Sequence, residues 1–162
     1  MKKEEYTKQE VLSAMLRLLK YKQFEEISIT DLVAEAHVGR ASFYRNYKQK
    51  EDVLTDHLLF LFEKWGEKFE KEGNHDLNAS LIVHFWEEKD FYMTIYKANL
   101  GHYIYNAMKT VMKIEEKTNP IEKYISSWYA GSIYGFIDEW MKSGMEESPE
   151  EIAGLMKNMF TQ

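Results

Sequence analysis

Apolar residues recur at helical spacing along almost the whole chain. Val11, Leu12, Met15, Leu16, Leu18 and Leu19 give a first helix a wide apolar face, and Thr7 with Glu10 three residues on reads as its capping box. Gln23 and Phe24 leave that helix, with Phe24 expected to tuck back against it. Ser28 and Asp31 form a second capping box ahead of Leu32, Val33 and Ala36. The short helix they open is broken at His37-Val38-Gly39, where Gly39 is the expected tight-turn residue. Arg40 to Tyr47 has room for about two turns before the polar run Lys48-Gln49-Lys50-Glu51. A long helix then places Val53, Leu54, Leu58, Leu61, Phe62, Trp65 and Phe69 on one side and runs out at Gly73-Asn74. Shorter periodic pieces follow over Leu77 to Trp86, Phe91 to Tyr96 and Leu100 to Ile114. Asn119-Pro120 precedes a strong segment from Ile121 to Met141, with Gly144 as its stop. Ser148-Pro149-Glu150-Glu151 opens a last helix lined by Ile152, Leu155, Met156, Met159 and Phe160. With no convincing strand and no internal repeat, the pattern predicts an all-α chain of about nine helices.

Composition narrows this picture. The 162 residues contain no cysteine, which excludes disulfides, thiolate metal sites and cysteine nucleophiles. The apolar stretch Leu58 to Phe62 falls far short of the ~20 residues a membrane span needs, and no signal-peptide run follows the charged first residues. The expectation is a soluble cytoplasmic protein with no membrane partner and no cofactor. The net charge of −6 is unevenly spread. Met1 to Thr55 holds ten Lys and Arg against nine Asp and Glu, whereas the other 107 residues hold eleven against eighteen. His37 to Lys50 contains Arg40, Arg45, Lys48 and Lys50 and no acid. A local basic patch on an acidic chain suits phosphate contact, although a solvated surface turn would carry the same charges.

Helix, glycine-containing turn, helix is the arrangement of a helix-turn-helix reader, in which the first helix braces on the phosphate backbone and the second offers its N-terminal residues to base edges. Gly39, Arg40, Ala41 and Ser42 keep that entry small and polar, and Phe43 is expected to point inward. The run from Ile29-Thr30-Asp31-Leu32-Val33-Ala34 through Phe43-Tyr44-Arg45-Asn46-Tyr47, followed by Lys50-Glu51-Asp52-Val53-Leu54, resembles the N-terminal domain of TetR-type transcriptional regulators. The resemblance spans roughly Val11 to Leu59, with Phe43-Tyr44, Tyr47 and Lys50 at the expected offsets. Two positions depart from the pattern: His37 stands where the family usually has glycine, and Gly39 where it usually has serine or threonine.

The resemblance implies a homodimeric regulator on double-stranded, palindromic operator DNA, most often a repressor relieved by a small-molecule effector. Residues 1–52 would form the helix-turn-helix domain and residues 53–162 a helical domain for dimerisation and effector binding. Thr30 would contact phosphate, Gly39 would cap the reader helix, and Arg40 and Ser42 would meet base edges. Tyr44, Tyr47 and Lys50 would hold phosphates, with plain packing the alternative for both tyrosines.

Beyond Leu59 the sequence speaks to assembly more than to ligand. In the family the last two helices meet their symmetry mates in a four-helix bundle, and Tyr124, Trp128, Trp140, Leu155 and Met159 are the interface candidates here. The bland alternative is a helix buried within one subunit. Trp86, Tyr92, Tyr96, His102 and Tyr103 combine apolar rings with polar tips, as an effector pocket needs and as an ordinary helical core also allows. Catalysis is not expected: Glu72 and His75 have carboxylate–imidazole spacing in one copy only, and no nucleophile elbow or phosphate loop appears. The rival from another class is a helical regulator that acts through a protein partner, as an activator or without binding DNA.

Overall fold

The computed structural model describes residues 3–73 and 76–160, with the backbone alone at Lys3, Met159 and Phe160. Nine α-helices and one 3₁₀ turn make up the regular structure of the described residues. The N-terminal part comprises α1 (Lys3–Leu18), the 3₁₀ turn Phe24–Glu26, α2 (Ile29–Glu35) and α3 (Arg40–Asn46). The long α4 (Glu51–Glu72) leads into α5 (Leu77–Glu87), α6 (Lys89–Lys97), α7 (Gly101–Val111), α8 (Pro120–Lys142) and α9 (Pro149–Phe160).

Local chemistry sets most boundaries. Ser28 Oγ accepts from the Asp31 amide at 3.1 Å while Asp31 accepts from the Ser28 amide at 2.9 Å, so the predicted reciprocal cap starts α2. Ser148 and Glu151 do the same for α9, at 2.8 and 3.3 Å. Asn119 caps α8 ahead of Pro120, and Gly73 ends α4 in the left-handed region at φ 59°. The box expected at Thr7 does not form a terminus: α1 begins by Lys3, and Thr7 lies buried inside it. Its acidic first turn, Glu4 and Glu5, favours that earlier start.

Four helices share one ending. In α2, α6, α7 and α8 an amide bonds back five residues and the preceding amide three, as in Val38 to Val33 at 3.0 Å and His37 to Ala34 at 3.2 Å. The left-handed seat falls to His37, Asn99, Lys113 and Gly144, with φ between 51° and 86°. The residue after each is apolar, and Leu100, Ile114 and Met145 are buried. The tight turn between α2 and α3 therefore rests on His37 rather than Gly39, whose φ of −74° is ordinary extended backbone.

One apolar core runs from α1 to α9. Val11, Met15, Leu32, Phe43, Val53 and Leu54 fill its N-terminal part, and Leu58, Ile82, Phe85, Tyr92, Ile104 and Ile137 continue it. α4 belongs to both parts, packing on α1, α5 and α7. The predicted boundary near residue 52 thus coincides with the start of a helix that is common to both halves.

Candidate nucleic-acid interface

α2 and α3 are held as a unit by Leu32 and Phe43, both fully buried, and α1 packs behind them. Burying those side chains fixes which face of α3 looks outward. Arg40, Ala41, Tyr44 and Arg45 are exposed, and Ser42 and Asn46 are half-buried. Gly39 is the N-cap of α3, is exposed, and has open space where a Cβ would stand. Its carbonyl accepts from the Ser42 and Phe43 amides at 2.8 and 3.1 Å.

The structure brings Thr30 and Arg40 together: Arg40 Nη2 donates to Thr30 Oγ1 at 3.2 Å across the start of the two helices. Arg45 Nη2 donates to Ser42 Oγ at 2.8 Å one turn along α3. Tyr44 is 53% exposed, with its ring edge-on to Phe43 at 5.5 Å. The Asp52 carboxylate, in the first turn of α4, accepts from the Lys48 and Gln49 amides at 2.8 and 3.2 Å and so ties the segment after α3 to the start of α4. Arg45 and Lys48 thus extend the basic surface of Arg40. Their signal in the sequence is the acid-free stretch from His37 to Lys50, which marks a basic patch without assigning either residue a contact of its own.

Two residues expected at phosphates are engaged elsewhere. Tyr47 is buried, and its hydroxyl lies 3.5 Å from Asp56; burial and the carboxylates of Asp56 and Asp52 push its pKa well up. Lys50 Nζ donates to the carbonyls of Phe24, Glu25 and Ile27 at 2.6, 3.2 and 2.9 Å and sits 4.5 Å from the centre of the Phe24 ring. Those carbonyls lie in and just after the 3₁₀ turn, where Phe24 O already accepts from the Ile27 amide at 3.2 Å, and the ammonium gives each of them a charged donor.

The interface candidates of the second half divide. Tyr124 is 76% exposed and Trp128 63%, and both share an apolar stripe with exposed Ile121 and Ile125 at helical spacing on α8. Leu155 is exposed on α9. Trp140 is only 3% exposed: it stacks on Trp86 at 5.9 Å and donates to the Glu147 carbonyl at 3.2 Å, so it belongs to the core of the chain. The side chain of Met159 lies outside the described residues.

The five polar-tipped aromatics do not converge. Trp86 pairs with Trp140, and Lys89 Nζ lies 4.5 Å from its ring centre. Tyr92 is completely buried, with its hydroxyl 2.8 Å from His84 Nε2, so it is core filling rather than a pocket wall. Tyr96 lies half-buried beside Gly101, where Tyr134 also approaches. Tyr103 meets Phe24 edge-on at 6.1 Å, and exposed His102 leans on Tyr103 at 4.4 Å. Among the described residues no cluster of His, Asp and Glu could hold a metal ion, and no helix is long and apolar enough to cross a membrane. His75, of the pair with Glu72, lies outside the described residues.

A reader-like helix pair joined to an α-helical second half is the architecture of a transcriptional regulator. A TetR-type family model described as a transcriptional regulator C-terminal region matches residues 75–162, and the chain belongs to that family. The solved structure of Lin0861 from Listeria innocua superimposes with a TM-score of 0.78 at 19% identity, over 98% of this chain and 92% of that one. The dihydroxyacetone kinase operon activator DhaS gives 0.53 at 19% identity, over 94% and 93%. At such identities the likeness is one of fold. No curated protein matches the chain significantly.

Proposed function

We propose that the chain is a homodimeric, DNA-binding transcriptional repressor of the cytoplasm, relieved by a small effector in its C-terminal domain. The observation that carries the reading is the outward surface of α3, where Arg40, Tyr44 and Arg45 stand exposed beside a glycine cap with no acid among them. An acidic chain reserves such a surface for a polyanion. Arg40 reads a guanine edge, Ser42 and Arg45 act as a linked pair in the groove, and Thr30 and Tyr44 hold phosphates on either side. The open space at Gly39 lets backbone approach backbone where the family's usual hydroxyl is missing.

Dimerisation is supported by the α8 stripe. An exposed run of Ile121, Tyr124, Ile125 and Trp128 is the kind of apolar surface that marks an interaction site, and a two-fold axis is its commonest partner operation. The pair would seat two α3 helices about one DNA turn apart, and an effector that alters their separation would lower affinity. Binding of the chain to DNA from around its own gene, in parallel with random DNA, tests the reading. Arg40→Ala is expected to cost about 1–3 kcal/mol on the preferred DNA and to relax sequence choice. Unchanged preference in that variant removes Arg40 from base reading.

A further inference from the structure

A groove of about 600 Å³ lies between the first turns of α1 and the middle of α4, directly beneath the end of the reader helix. We propose that this groove binds a small organic cation with an apolar body, at a site separate from the effector site proposed for the C-terminal domain. Its volume falls in the range of small-molecule sites. Its floor is apolar and aromatic, made by Leu12, Leu59, Phe60 and the Tyr47 ring. Phe60 is 53% exposed, with the His57 ring stacked beside it at 6.1 Å and Lys64 Nζ 6.0 Å from its ring centre.

Charge selects the occupant. Glu4, Glu5, Asp56 and Glu63 border the groove, against Lys8 alone. His57 adds no positive charge at neutral pH, since burial lowers its pKa. The chain itself shows what the wall accepts: Lys8 Nζ lies 3.1 Å from Asp56 and 5.9 Å from the centre of the Tyr47 ring. A ligand cation would use the same combination of carboxylate and ring face at Glu63 and Phe60, in place of the exposed Lys64 ammonium that now lies 6.0 Å from that ring. Tyr47 is also the C-cap of α3, donating its amide to the Phe43 carbonyl at 2.9 Å. An occupant therefore bears on the residue that ends the reader helix. Recognition of the cation stands without the DNA-binding reading; only its effect on DNA rests on that reading.

Calorimetric titration of the full chain with tetraphenylphosphonium and with tetraphenylborate, ions of the same shape and opposite charge, tests the site. The phosphonium is expected to bind once per chain and at least about tenfold more tightly than the borate. Phe60→Ala and Glu63→Gln, both at exposed positions, should each weaken it by about fivefold. Glu87→Gln on α5, outside the groove, should leave it unchanged. Failure of the phosphonium to bind, equal binding of the two ions, or binding indifferent to both groove substitutions would overturn the proposal.

Discussion

Replacing Lys50 with methionine separates two physical roles that one charge could play. The stem keeps its volume, but the ammonium that donates to Phe24, Glu25 and Ile27 is removed. A hydrogen bond to a charged group contributes about 1.5–3 kcal/mol, but the three here share one ammonium on a half-buried residue, and water can reach part of what is vacated. A total loss of about 2–3 kcal/mol follows. In a chain of this length each kcal/mol moves the melting temperature by roughly 2–4 °C, so Lys50→Met should melt about 5–10 °C below the parent. A phosphate contact at Lys50 predicts something else: little change in melting, and a slope of log K against log salt that is shallower by about 0.9. Thermal melts and DNA binding over a salt series read both quantities on one preparation. A melting temperature within about 2 °C of the parent, together with the shallower slope, would refute the intramolecular clamp.

Three other outcomes follow from the same structure. Burial lowers the pKa of His84 from 6.5 to about 4. The unfolded chain therefore takes up a proton that the fold refuses, and stability that is complete above about pH 6.5 falls by about 1.4 kcal/mol per unit down to pH 4. Denaturant melts across that window should show a flatter dependence in His84→Gln, and identical slopes would contradict the assignment; His57, also lowered by burial, contributes with the same sign in both. Trp128→Glu should halve the molar mass seen by light scattering, whereas Trp140→Ala should leave assembly intact and cost about 3–5 kcal/mol of stability; the reverse pattern would place the interface elsewhere. His37→Gly removes a left-handed side chain and should stabilise the chain by up to about 1 kcal/mol in denaturant melts, while a loss would mean that the imidazole makes a contact of its own.

The reciprocal caps at Ser28 and Ser148 were legible because they are local: the partners lie three residues apart and need no tertiary knowledge. The same rule failed at Thr7, where a charged stretch of good helix formers carries α1 past the apparent start. Gly39 drew the turn assignment because glycine favours left-handed backbone, yet the Val38-to-Val33 bond puts that conformation at His37. α8 is apolar around most of its circumference, so periodicity could not tell Trp128 from Trp140. Only the packing separates them: the buried residues of α8 begin at Ala130, and Ile121, Tyr124, Ile125 and Trp128 ahead of it are exposed. Lys50 shows a further limit, since a positive charge does not say whether carbonyl or phosphate oxygens will meet it. The groove of Phe60 and Glu63 was invisible because its walls come from helices far apart in sequence.

Whether α3 enters DNA as one of a pair is tested most directly by hydroxyl-radical footprinting on duplexes enriched by the chain from a random pool. The expected result is two protected patches on one side of the duplex, centred about 34 Å apart and lost together in Arg40→Ala. A single patch, or protection that survives the loss of Arg40 unchanged, would contradict the account.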